Sequence, residues 1–159
     1  MKIGIMSFAH LHAYAYVDAI RQLPGVELVG VADSDLARGQ AAADHAETKL
    51  FPTFEALLEA DIDGVIITAA NADHRRLTEM SAAAGKHILC EKPIATTLED
   101  AKAMERVTRE AGVKFQMAFP CRYIPAVQRL KEQYDDGSLG RVVLLRGTNH
   151  GRMPGGFFV

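Results

Sequence analysis

The chain has 159 residues, 48% hydrophobic and 24% charged, a composition that excludes disorder, collagen-like repeats and a disulfide scaffold. Its 18 basic and 20 acidic side chains leave a formal net charge of -2, so there is no basic excess to neutralise a phosphate backbone, which argues against nucleic-acid binding. Met1 and Lys2 precede a short apolar stretch that Ser7, His10 and His12 interrupt; it is too polar for a signal-peptide core and too short to span a bilayer. Cys90 and Cys121 have no metal-like spacing and read as buried free thiols of a cytoplasmic protein.

Strand-like and helix-like periods alternate from the start. Lys2 to Met6 is an apolar strand, and Ala13, Tyr16, Val17 and Ile20 then recur at helical spacing until Pro24-Gly25. Val26 to Ala32 is a second strand, and Leu36 to Ala46 an Ala-rich helix. Thr53 is placed to cap a short helix through Glu59. Gly64 to Thr68, taken as the fourth strand, leads to a helix that Asn71 is positioned to cap, with Leu77, Met80 and Ala84 on one face. His87 to Cys90 follows as a strand. Thr96-Thr97-Leu98-Glu99 has capping-box spacing for a helix that runs to Ala111 and stops at Gly112. Val113 to Phe119 is a strand, Tyr123 to Tyr134 a helix, and Arg141 to Arg146 a last strand whose unpaired edge could drive association.

Short, nearly continuous apolar strands alternating with helices specify a parallel sheet covered on both faces, a doubly wound α/β fold. The alternation supplies six strands by Pro120, where a domain boundary is expected. The stretch from Gly151 to Val159 reads as the middle of a structure, not its end. No internal repeat or linker is present.

In such a sheet ligands bind beyond the carboxyl ends of the strands. The first turn there is Ser7-Phe8-Ala9-His10-Leu11-His12, with Ser7, Ala9 and His12 where a dinucleotide fingerprint would carry glycines. Asp33, followed by Ser34, stands at the end of the second strand, where a carboxylate can accept from an adenosine ribose diol and repel a 2′-phosphate, favouring NAD over NADP. Thr68, Ala69, Asn71 and His74 follow the fourth strand, where a helix N-terminus offers an anion or nucleotide site, although His74 beside Arg75 and Arg76 reads on its own more often as a solvated helix face. The sharpest group is Glu91-Lys92-Pro93, a charged pair at the end of a buried strand with the lysine restricted by proline. Lys92 could polarise a substrate oxygen or give it a proton, and Glu91 could hold Lys92 or contact the nicotinamide ribose. His10-x-His12 is not read as a metal site, because residues two apart on a helix face different ways and no carboxylate is spaced to help. Tyr14, Tyr16 and Phe8 read as core or pocket wall, and there is no Gly-Lys-Ser/Thr phosphate loop.

These residues resemble the glucose-fructose oxidoreductase / inositol dehydrogenase / MocA (Gfo/Idh/MocA) family. Ala84-Gly85-Lys86-His87 through Glu91-Lys92-Pro93 is similar to its A-G-K-H-v-x-x-E-K-P signature. Ile67-Thr68 with Asn71-x-x-His74, Phe119-x-x-Arg122-Tyr123-x-Pro125 and Gly137-Ser138-Leu139-Gly140 resemble three further motifs, with Ala70 in place of a proline. The resemblance implies a Rossmann-type NAD(P)-binding domain over residues 1–120 and the beginning of a second α/β domain, for substrate and oligomerisation, over 121–159. It implies hydride transfer between nicotinamide and a hydroxyl carbon of a sugar or polyol, with Lys92 at the reacting oxygen, Glu91 and Pro93 shaping the nicotinamide pocket, and Arg122 near substrate or cofactor. The expected cofactor is NAD, with NADP as the alternative; the partners are a small sugar- or polyol-like substrate and other copies of the protein. The family's Asp-x-x-x-His segment belongs after Pro154-Gly155-Gly156-Phe157-Phe158, and the chain stops at Val159, so it is expected to be catalytically incomplete. The rival expectation is a non-catalytic dinucleotide-binding or regulatory module.

Overall fold

The computed structural model describes residues 1–148. The chain divides into two compact units, Met1–Phe119 and one that begins at Pro120. The first contains strands β1 (Lys2–Met6), β2 (Glu27–Ala32), β3 (Lys49–Phe51), β4 (Gly64–Ile67), β5 (His87–Cys90) and β6 (Phe115–Met117). Between them run helices α1 (His12–Gln22), α2 (Leu36–Ala46), α3 (Phe54–Leu58), α4 (His74–Ala83) and α5 (Leu98–Glu110). All five strand pairings are parallel, in the order β3-β2-β1-β4-β5-β6.

Strand alternation divides the core into two layers. Ile3, Ile5, Val31 and Ile66 face α1 and α2, where they meet Ala13, Val17, Ile20, Ala42 and Ala43. Met6, Ala32, Val65, Ile67, Ile88 and Cys90 face the other side and meet Phe54, Leu57, Leu77 and Met104. Gly30 lets β3 approach closely: a Cβ there would lie 2.3 Å from the Phe51 ring and 2.8 Å from the Lys49 carbonyl oxygen. Asp35, Thr53 and Thr97 cap α2, α3 and α5 by accepting from the backbone N–H three residues on, each stabilising its helix by about 1 kcal/mol.

Several local expectations are corrected. Asn71 caps nothing with its side chain: residues Asn71–Asp73 form a 3₁₀ turn before α4. The buried face of α4 is His74, Leu77, Thr78, Ser81 and Ala82, while Met80 is half-buried and Ala84 lies beyond the helix, exposed. The capping residue of α5 is Thr97, not Thr96, and Thr97 is also bonded to the Asp100 carboxyl. The last strand of the sheet keeps only Phe115–Met117 of the expected Val113 to Phe119.

In the second unit a 3₁₀ turn, Pro120–Tyr123, precedes helix α6 (Pro125–Asp135), which Pro125 opens. Arg141 to Arg146 forms no strand among the described residues. Val143, Leu144 and Leu145 are 84%, 82% and 76% exposed, and without a partner ladder an apolar run has nothing to pair with. Cys121 is exposed, against the expectation of burial, whereas Cys90 is buried. The stretch 154–158 and the expectations built on it lie outside the described residues.

Candidate functional site

The strand order reverses between β1 and β4, so the turns that leave these two strands part to opposite sides and open a crevice at their carboxyl ends. Ser7 takes φ +73°, the left-handed region that glycine enters freely and other residues enter at a cost of about 1–2 kcal/mol. The turn is held by its neighbours. Ser7 N donates to Ala32 O at 2.7 Å, Thr68 Oγ1 to Ser7 O at 2.5 Å, and His10 N to Thr68 O at 2.9 Å. The Ser7 hydroxyl accepts from Ala9 N at 3.2 Å and lies 3.3 Å from Asp33 Oδ2, so the side chain supplies bonds that glycine could not. Helix α1 then starts at His12, its N-terminus at the crevice, a disposition suited to an anion such as a pyrophosphate.

Asp33 is sealed. Its carboxylate accepts from Phe8 N (2.6 Å), Asp35 N (2.9 Å), Arg38 Nε (2.9 Å) and Arg38 Nη2 (2.6 Å). Burial on its own would raise its pKa; the Arg38 fork and the Asp35 and Phe8 amides outweigh it and hold the carboxyl below the usual carboxylate range. The Asp33 carboxylate is thus already engaged by Arg38, and Ser34 beside it is exposed. Asp33 and Ser34 border a cleft with Leu36, Pro52, Thr53 and Arg76 at the ends of β2 and β3.

At the end of β5, Glu91 is 1% exposed. It accepts from Tyr16 OH at 2.7 Å and from Lys92 N at 2.9 Å, and its Oε1 lies 2.9 Å from His12 Nδ1. Burial pushes the Glu91 carboxyl up, and the donors Tyr16, His12 and Lys92 N more than reverse it, so the group stays anionic. The same contact works in the opposite sense on Tyr16, whose phenol is raised by burial and by Glu91. The expected Glu91–Lys92 side-chain pair is not formed: Glu91 takes the Lys92 backbone N–H, and the Lys92 side chain is exposed with no ion-pair partner among the described residues. The peptide bond into Pro93 is cis.

His74 is not a solvated helix residue. It is fully buried, with Nδ1 2.9 Å from Pro93 O and Nε2 3.2 Å from Ala69 O, and so ties the loop after β4 to the Glu91-Lys92-Pro93 loop. Thr68 and Ala69 are buried in the same seam, and Asn71 is exposed at its rim. Ser7, Phe8, Ala9, His10, Asp33, Thr68, Ala69, His74, Glu91, Lys92 and Pro93 are thus gathered at the carboxyl ends of the strands, while Arg122 belongs to the second unit's 3₁₀ turn.

The sequence reading of His10 and His12 is corrected in one respect: a carboxylate does reach them. One ligand atom each from His10, His12 and Glu91 lies within 4.8 Å of the other two. His12 and Tyr16, four residues apart on α1, and Arg38, five beyond Asp33, are the members whose roles sequence reasoning missed. The i, i+4 spacing of His12 and Tyr16 was the available signal, since it sets both on one helix face; that this face meets Glu91 depends on the fold.

A parallel sheet in the order 3-2-1-4-5-6 with a helix N-terminus at its switch point defines a Rossmann-type dinucleotide-binding domain. Residues 2–119 match the sequence profile of the oxidoreductase family with an NAD-binding Rossmann fold, so the chain belongs to the Gfo/Idh/MocA family. It is 33% identical over 149 residues to levoglucosan dehydrogenase of Pseudarthrobacter phenanthrenivorans, covering 91% of this chain and 38% of that one. It is 35% identical over 139 residues to D-apiose dehydrogenase of Paraburkholderia graminis, covering 86% and 36%. The crystal structure of the WlbA dehydrogenase from Bordetella pertussis, in complex with NADH and UDP-GlcNAcA, superposes with a TM-score of 0.82 at 26% identity, covering 89% of this chain and 41% of that one. The chain spans about two fifths of the length of the curated relatives it matches. Among the described residues, no helix is long and apolar enough to cross a membrane.

Proposed function

We propose that this chain is the cofactor-binding part, residues 1–120, and the opening of the substrate and oligomerisation part, residues 121–159, of an NAD(P)-dependent dehydrogenase. Its substrate would be a sugar- or polyol-like hydroxyl compound, and the whole protein a homo-oligomer in the cytoplasm. The observation that carries the reading is the Glu91-Lys92-Pro93 corner: a buried, anionic Glu91 beneath an exposed Lys92, at the carboxyl end of β5. The residues fit a dinucleotide. The β1–α1 turn presents a helix N-terminus to a pyrophosphate, and the cleft beside Asp33 and Ser34 lies where an adenosine is expected. NAD is the preferred form, because the Asp33 carboxylate opposes a 2′-phosphate, and NADP is the alternative, because Arg38 stands over Asp33 and offers that phosphate a cation.

When bound, the nicotinamide supplies the hydride chemistry. The protein's part is position and proton movement. Glu91, held by Tyr16, His12 and the Lys92 amide, fixes the backbone from which Lys92 projects. The Lys92 Nζ then meets the substrate oxygen as a hydrogen-bond donor and proton carrier. In the whole protein, Lys92→Ala lowers turnover by about 10²-fold or more while NAD binding persists; turnover at the wild-type rate would remove Lys92 from the mechanism. The second reading, a non-catalytic dinucleotide-binding module, is favoured by Ser7, Ala9 and His12 at the glycine positions. Cofactor binding without turnover in the whole protein would select it.

A further inference from the structure

Two imidazoles and one carboxylate from segments about 80 residues apart in sequence converge beneath the crevice. His10 is in the β1–α1 turn, His12 opens α1, and Glu91 ends β5. Their ligand atoms lie within 4.8 Å of one another, and His12 Nδ1 and Glu91 Oε1 stand 2.9 Å apart. In a tetrahedral site with metal–nitrogen and metal–oxygen bonds of ~2.0–2.2 Å, neighbouring ligand atoms lie ~3.3–3.6 Å apart. Admitting an ion therefore takes a small opening of the His12–Glu91 contact and a closing of the wider spacings toward the same distance. We propose that His10, His12 and Glu91 form a binding site for a divalent transition metal of the zinc and cobalt class.

The chemistry of the three groups selects that class. Two imidazoles with one carboxylate suit Zn²⁺, Co²⁺ and their neighbours, whereas Ca²⁺ and Mg²⁺ prefer all-oxygen shells. Glu91 is already aimed. Tyr16 OH and Lys92 N donate to it, which is the supporting layer that metal-ligating carboxylates need. The burial of Glu91 means its charge is not shared with solvent, and an ion there replaces the His12 proton as its partner. The turn also sets the two histidines side by side, with ring centroids 4.5 Å apart and an interplanar angle of 72°. The His12 N–H donates to His10 Nδ1 at 3.2 Å, which holds the His10 ring over the start of the helix. The i, i+2 objection from helical spacing fails because His10 precedes the helix and only His12 belongs to it. Three protein ligands leave at least one coordination position for water or for an oxygen of another bound molecule.

The inference stands apart from the hydride-transfer reading and is tested without turnover. The 159-residue chain, stripped with chelator, is titrated calorimetrically with ZnCl₂ and, in parallel, with CoCl₂ followed by visible absorption. One zinc per chain with a Kd below about 10 µM (about −7 kcal/mol) is expected, and a cobalt band in the visible with the same stoichiometry. His12→Ala and, separately, His10→Ala weaken zinc binding by about 100-fold, and Tyr16→Phe by about 10-fold. His45→Ala, on the exposed surface of α2, leaves it unchanged. His10 and His12 are only partly buried, so these two variants keep the test open if Glu91→Gln does not fold. Zinc heat that does not saturate at one equivalent, or an affinity that His10→Ala and His12→Ala leave intact, overturns the proposal.

Discussion

Replacing Arg38 by methionine removes the guanidinium that closes over Asp33 while keeping an aliphatic stem of similar length. Two N–H···O bonds are lost, of 2.9 and 2.6 Å, to a carboxylate whose side chain has no exposed surface. Hydrogen bonds to charged groups contribute about 1.5–3 kcal/mol each when buried. The Arg38 side chain is 35% exposed, so solvent already screens it, and Asp33 keeps the amides of Phe8 and Asp35. Halving for screening and overlap leaves a loss of about 2 kcal/mol, or a fall in Tm of ~4–8 °C for a chain of this size. The pH dependence gives the reasoning a second handle. Asp33 is held below its ordinary value in the folded chain, so the stability it contributes is fully present above about pH 4 and is lost as the pH falls through the folded value. In Arg38→Met burial acts on Asp33 without its counter-charge and pushes the value up. The gap in Tm between wild type and variant is therefore widest near pH 7 and shrinks toward pH 3. Thermal unfolding followed by circular dichroism across that range measures both quantities. A gap under about 1 °C at pH 7, or one that does not change with pH, would refute the account of Asp33 as a sealed, Arg38-neutralised anion.

Gly30→Ala drives a Cβ against the Phe51 ring and the Lys49 carbonyl across the β2–β3 pairing; a loss of about 2 kcal/mol is expected, read as a lower urea midpoint, and an unchanged midpoint would show that β3 can move aside. Burial and then the Glu91 charge push the Cys90 thiol up to about 12, while Cys121 is exposed. An aromatic disulfide reagent should therefore modify one thiol quickly in the native chain and the second only after unfolding, and two fast thiols would contradict the placement of Cys90.

The sheet was legible because its strands announce themselves locally. Ile3 to Met6, Val65 to Ile67 and Ile88 to Cys90 are apolar runs too short for helices, and Pro24-Gly25, Gly85 and Gly112 end the helices between them. The three-residue β3 carries no periodicity of its own and could be counted but not located. Asn71 misled because its residue type suits a cap, whereas the chain makes a 3₁₀ turn that delivers His74 into the seam. Glu91-Lys92-Pro93 was legible as a place, since it follows a buried strand. Its inner workings were not. Which of Lys92, His12 or Tyr16 meets Glu91 depends on α1 packing across the sheet from β5, a contact between residues 75 and 79 positions apart that no local pattern encodes. The same distance hid the carboxylate that completes the histidine pair. Arg38 is a basic residue in the first turn of α2, and nothing local singles it out; its fork onto Asp33 follows from the way Gly39 lets that helix lie against the strand end, where a Cβ would come 3.1 Å from Asp33 Cβ.

The central claim is that the crevice at the carboxyl ends of β1, β4 and β5 binds a nicotinamide dinucleotide although its first turn carries serine, alanine and histidine in place of glycines. Calorimetric titration of the folded 159-residue chain with NAD and NADH tests it most directly. Saturable binding of one dinucleotide per chain, weakened when Ser34 and Arg38 are replaced together, is the predicted result; no heat up to millimolar cofactor, with a sample shown by circular dichroism to be folded, would contradict it.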